Sequence, residues 1–152
     1  MTALTISGIH DFPDLDGVEA IISIRDPGDE LPAEVRSATA PVFDLIFHDV
    51  LEDDEHSGYV SPEAWQLERL LSFLHQVRPQ RLHIHCFYGV SRSTAVASFI
   101  LAAKRPELSS EAIVRRVREV RAQACPNPRL LSLADDLLGS DLTGAWGLAD
   151  RY

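Results

Sequence analysis

Residues 83–99 read HIHCFYGVSRSTAVASF. The alternating run RLHIHC, Arg81 to Cys86, predicts a short strand. A glycine-bearing turn follows. From Arg92 to Arg105 the apolar residues Ala95, Val96, Phe99, Ile100 and Ala103 recur at helical spacing, and Pro106 stops them. Cys86 therefore stands at a strand end, six residues before an arginine that opens a helix.

That placement has a chemical meaning. At a helix N-terminus the first backbone N–H groups lack partners, and with the helix dipole they attract an anion the size of a phosphate. Gly89 lets the turn tighten and brings its backbone close to a ligand. Arg92 supplies a planar fork that matches two phosphate oxygens. Phe87, Tyr88, Val90 and Ser91 complete the loop around the bound group. Each of these neighbours favours the thiolate of Cys86, so the loop predicts a nucleophile facing its electrophile. Ser93, one residue past the arginine, can donate a hydrogen bond to the sulfur and help it depart later. The competing reading is a core cysteine at a strand end beside a solvated arginine. Cys-x5-Arg alone would not decide between them. His85 before the cysteine, Gly89 three residues after it and Ser93 after the arginine favour the anion loop.

Working outward, Ala3 to Ile9 alternates and predicts an edge or half-buried strand, and Val18 to Ile24 predicts a buried one. RDPGDELP, 25–32, is a loop by its Pro and Gly content. Pro41 to His48 predicts a third strand, followed by the acidic stretch DVLEDDEHSGY. Ser61 as N-cap and Pro62 at the first helical position predict a helix to about Val77, which Pro79 ends. Another helix is expected from Ser109-Ser110-Glu111 through about Ala124, then a break at Cys125-Pro126-Asn127-Pro128. A last helix follows from Arg129 to Leu138, ended by Gly139. The tail from Ser140 carries no pattern. Strands alternating with helices predict an α/β fold, with a mostly parallel central sheet between helices and the anion loop between the last strand and its helix. The expected organisation is one domain over residues 1–152.

Composition narrows the partners. The net charge of −9 argues against nucleic acid or an anionic membrane surface as a partner. No apolar run approaches a membrane span, and MTALTISGIHDFPD lacks the features of a signal peptide. The two cysteines, Cys86 and Cys125, make no disulfide framework, so a cytoplasmic, reducing setting is expected. Cys125, beside Pro126 in the break, is expected to be structural. No His or carboxylate pattern has metal-ligand spacing; no metal, no cofactor and a monomer are expected.

HCFYGVSRS resembles the signature loop HCxxGxxR[ST] of the cysteine-dependent protein tyrosine phosphatases, and residues 89–94, GVSRST, are closest to the dual-specificity branch. ISIRDP at 22–27 is similar to the second strand and following loop of that branch. VRAQACPNPRLLSLADDLL, ending at Leu138, is similar to its final helical segment. The length suits the compact bacterial phosphatases of this kind. The resemblance implies a four- to five-stranded α/β domain and a phosphatase that forms a cysteinyl phosphate, with no metal or other cofactor. It also implies that His85 hydrogen-bonds around the loop and tunes the thiolate rather than acting as a base; His83, on the same face, receives no role.

In such enzymes an aspartic acid on a loop after an earlier strand protonates the leaving oxygen. Asp49, Asp53 and Asp54 all follow the strand PVFDLIFH. Asp49 is nearest the strand end and is favoured. Asp53 and Asp54, 33 and 32 residues before Cys86, are at a spacing many members show. Relatives that act on phosphoinositides often carry lysines in the loop. This one has none, and the chain has a single lysine, Lys104. The expected substrate is a phosphorylated protein, phosphotyrosine above all, or a small aryl phosphate. The alternatives are a phosphotyrosine-binding module without turnover, a phosphatase of a non-protein ester, and sulfur chemistry of the rhodanese or arsenate-reductase kind. Arg92-Ser93 and the Pro-Asn-Pro segment point away from the last.

Overall fold

The computed structural model describes residues 3–147. Four strands, β1 (Ala3–Ser7), β2 (Ala20–Arg25), β3 (Val42–Ile46) and β4 (Arg81–His85), form one sheet in the order β1-β4-β2-β3. Every pairing is parallel. Among the described residues six helices accompany them: α1 (Ala33–Arg36), α2 (Ala64–Val77), α3 (Arg92–Lys104), α4 (Ser110–Val120), α5 (Pro128–Leu138) and α6 (Leu142–Trp146).

The two faces of the sheet differ because side chains alternate along each strand. Ile6, Ile22, Ile24, Leu45, Leu82 and Ile84 join the apolar core with the helices. The alternate positions of β4 carry His83 and His85, both buried, which hydrogen-bond to hydroxyls of β1 and β2. Phe12 covers both imidazoles, with ring centroids 5.6 and 5.1 Å away. Helix α3 is buried along ten consecutive residues, Arg92 to Leu101. It lies between the sheet and α4 and α5, which is why its sequence is apolar nearly all round.

Ser109 caps α4 by accepting from Ala112 N–H, and Asn127 caps α5 by accepting from Leu130 N–H, with Pro128 opening that helix. Two expectations are corrected. The N-cap of α2 is Glu63, not Ser61; its backbone N–H donates to Gln66 Oε1 at 2.9 Å. Ser61 is instead spent on Asp53, through its backbone N–H and its hydroxyl, both at 2.8 Å. Helix α4 ends at Val120 rather than near Ala124, because Arg121 turns out of the helix at φ −144° and ψ 95°. The patternless tail contains α6, whose Trp146 indole N–H donates to Ser98 Oγ at 3.1 Å in the core.

Candidate active site

β4 and β2 are neighbours, and both point their C-terminal ends at one region. In open parallel sheets that is where ligands bind. Cys86 leaves β4 there, and its sulfur is buried. Its S–H lies 3.2 Å from Ser93 Oγ, and Gly89 N–H donates to it at 3.3 Å. In the thiolate both neighbours donate.

The loop from Phe87 to Ser91 has its carbonyls turned outward. Phe87 O accepts from Ile9 N–H at 2.9 Å. Val90 O accepts from Cys125 N–H at 2.9 Å and from Thr94 Oγ1 at 2.5 Å. Ser91 O accepts from Asn127 N–H at 3.1 Å. No described peptide is cis, so each N–H that follows such a carbonyl points the opposite way, into the hollow. Successive inward N–H groups make an anion-binding nest. Gly89 has φ +72°, and a Cβ there would lie 2.6 Å from Ser7 C and 2.7 Å from Gly8 N. Gly8 is needed for the same close approach: its Cβ would meet Phe87 O at 2.5 Å.

The hollow measures about 200 Å³ and is lined by Asp49, Cys86, Phe87, Tyr88, Val90, Ser91 and Arg92. Arg92 is buried, and its Nη1 donates to Asp26 Oδ1 at 2.6 Å and to Phe47 O at 2.8 Å. Among the described residues its Nε and Nη2 have no partner, which leaves one edge of the guanidinium for two oxygens of a ligand. Phe87 and Tyr88 form an exposed aromatic rim, ring centroids 4.7 Å apart.

Asp49 Oδ1 accepts from Ser91 Oγ at 2.7 Å and from Asn127 Nδ2 at 2.8 Å. Both donors take the same oxygen, so Oδ2 is the one free to carry a proton. Asp53 and Asp54 are not part of the hollow. Asp53 Oδ1 accepts from Ser61, and those bonds, the backbone one first, hold its carboxyl below the usual carboxylate range. Asp54 closes a local turn, accepting from His56 N–H at 3.0 Å and from the Ser57 hydroxyl at 3.0 Å.

Beneath the loop, His85 Nδ1 lies 3.2 Å from Cys86 O and its Nε2 2.6 Å from Ser23 Oγ. Only a donor suits the carbonyl, so Nδ1 carries the proton and Ser23 donates to Nε2. Burial, above all, pushes His85 down to about 4, and His83 likewise. His85 is neutral at physiological pH and fixes the Cys86 carbonyl.

No family model matches the chain. The human protein phosphatase Slingshot homolog 3 is 38% identical over 89 residues, 57% of this chain; the chain spans about 13% of that protein's length. Among solved structures, DUSP15 superposes with a TM-score of 0.67 at 19% identity, covering 100% of this chain and 94% of that one. Human DUSP28 also gives 0.67, at 16% identity over 98% of this chain and 95% of that one. The fold is that of the dual-specificity phosphatases. Within it, the Cys86 loop occupies the turn between the last strand and its helix.

Two residues of this phosphatase-fold site were not singled out from sequence. Asp26, with a side chain 41% exposed, grips Arg92 across 66 positions of sequence. Asn127 was read only as part of a helix break. It is buried, and it ties Asp49 and Val50 O to the start of α5. The Asn-Pro cap pattern marked its Oδ1; nothing local marked its Nδ2. Among the described residues no cluster of His, Cys, Asp and Glu gathers around a metal-sized site, and no helix is long and apolar enough to cross a membrane.

Proposed function

We propose that this chain is a protein-tyrosine-phosphatase-type hydrolase, with Cys86 as nucleophile and Asp49 as general acid. The observation that carries the reading is the hollow itself. A sulfur lies on its floor, inward N–H groups and the free edge of Arg92 surround it, and a carboxyl is moored at its rim by Ser91.

The reaction takes two steps. In the first, the Cys86 thiolate attacks phosphorus; the bond from phosphorus to the ester oxygen breaks, and the Asp49 proton goes to that oxygen. Arg92 and the loop N–H groups hold the three non-bridging oxygens as charge shifts among them. In the second, the Asp49 carboxylate takes a proton from water, the water oxygen attacks phosphorus, and the sulfur–phosphorus bond breaks. Ser93 Oγ and Gly89 N–H receive the returning thiolate.

Phosphotyrosine fits this hollow better than a polyphosphorylated ligand. Its rim is aromatic, from Phe87 and Tyr88, and the Asp26 carboxylate, paired with Arg92 beside the phosphate site, disfavours further negative charge there. The net charge of −9 argues against nucleic acid and anionic lipid as partners, and the two free cysteines agree with a reducing cytoplasm. A phosphatase of a small aryl ester would use the same hollow, and a binding module would use it without turnover.

Turnover of p-nitrophenyl phosphate in EDTA tests the reading. The expected outcome is metal-independent hydrolysis that Cys86→Ser lowers by on the order of 10⁴-fold or more. Full activity in Cys86→Ser would contradict the mechanism, and phosphopeptide binding without hydrolysis would leave only the binding module.

A further inference from the structure

Two carbonyls of the loop remain, those of Tyr88 and Gly89, and one side chain takes both. Arg121 Nη2 donates to Tyr88 O and its Nε to Gly89 O, each at 3.0 Å. The third nitrogen, Nη1, donates to Asp11 Oδ2 at 2.5 Å. Asp11 Oδ1 in turn accepts from Gly8 N–H at 2.8 Å, and the Arg121 bond, first among the causes, holds the Asp11 carboxyl below its usual range. The Arg121 side chain is only 12% exposed, and its Nη2 would lie 2.7 Å from a Cβ on Gly89, so the guanidinium is packed against that glycine.

We infer that Arg121 is the positioning residue of the phosphate loop. It acts through the backbone, and it rests on the reading of this loop as a phosphate site. A peptide plane has its C=O and N–H on opposite edges. Pinning Tyr88 O and Gly89 O to the outside therefore aims Gly89 N–H and Val90 N–H inward, the first at Cys86 Sγ. These are the two peptide planes that flank the most permissive residue of the loop, with φ +72°. Without an outer partner they are the planes freest to turn over, which would replace a donor in the hollow with an acceptor. The geometry also explains why α4 stops at Val120: Arg121 leaves the helix to reach the loop. A lysine cannot substitute, because its single ammonium does not present two parallel N–H donors to successive carbonyls.

The test uses the whole chain and two readouts: the dissociation constant for inorganic tungstate, and kcat and KM for p-nitrophenyl phosphate. Arg121→Met is expected to weaken tungstate binding about 10–100-fold, the scale of charge-assisted hydrogen bonds, with KM rising in step. Arg121→Lys is expected to restore the melting temperature but not tungstate affinity. Asp11→Asn, which keeps an acceptor for Gly8 N–H while removing the charge that holds Arg121, is expected to move affinity in the same direction by a smaller factor. It carries the test with the lysine variant if Arg121→Met fails to fold. The inference is overturned if the wild type binds tungstate and the variants bind it equally while only melting earlier, or if lysine fully restores affinity. A wild type that neither binds tungstate nor turns over substrate would instead overturn the phosphatase reading.

Discussion

The loop from Cys86 to Ser91 and the loop from Asp49 to Tyr59 meet at the same hollow, and they are built in opposite ways. The first is clamped from outside by distant elements: Ile9, Cys125 and Asn127 through backbone N–H groups, and Arg121 through its side chain. The second is held mostly by itself. Asp54 pairs with Tyr59 in an isolated bridge and closes a turn onto His56 and Ser57, and the residues from Leu51 to Val60 are exposed. Asp49 belongs to the second loop in sequence but to the first in bonding, since Ser91 and Asn127 fix it. A loop clamped by the fold can hold a reacting group to within a fraction of an ångström; a self-contained acidic turn is a solvated surface.

That contrast is sharpest in three neighbouring carboxylates. Asp49→Asn is expected to lower kcat on p-nitrophenyl phosphate by about 10²–10⁴-fold. Tungstate affinity should stay unchanged, because the nest is intact. Asp53→Asn and Asp54→Asn are expected to change kcat by less than about threefold, as substitutions outside the reacting constellation do. A comparable loss of kcat in Asp53→Asn, with Asp49→Asn near wild type, would move the acid to the self-contained loop and break the comparison, while leaving the phosphatase reading standing.

A separate effect, on stability rather than rate, concerns the support beneath the clamped loop. His83 and His85 are neutral when folded and lie near 4, against 6.5 for an unperturbed histidine. As pH falls from about 6.5, the unfolded chain takes up these protons first, so protonation favours unfolding. Stability should therefore be flat above about pH 6.5 and fall progressively down to about pH 4, by roughly 3 kcal/mol for each histidine. Urea unfolding across that window checks this. A flat curve would mean that the two imidazoles charge without cost and that the cradle does not rest on a neutral pair.

The strands, α3 and the anion loop were legible because each is a local pattern: period two in RLHIHC, helical spacing after Arg92, and a cysteine, glycine and arginine at fixed offsets. The start of α4 at Ser109 was legible for the same reason. What escaped depends on pairs far apart in the chain. Asp26 meets Arg92 across 66 positions, Arg121 meets Gly89 across 32 and Asn127 meets Asp49 across 78. No local period records such a meeting. Ser61 shows the converse hazard. Ser-Pro-Glu has the local form of a helix start, but Asp53 claims both donors of Ser61, and the helix begins at Ala64 behind Glu63.

The central claim is that a phosphoryl group passes onto Cys86, and trapping that intermediate tests it most directly. The Asp49→Asn chain would be mixed with an aryl phosphate whose leaving group needs no proton, quenched in acid, digested and read by mass spectrometry. The account predicts the mass of one phosphoryl group on the peptide that contains Cys86, and none in Cys86→Ser. A phosphoryl group on His85 or any other residue, or turnover with no covalent intermediate on Cys86, would contradict it.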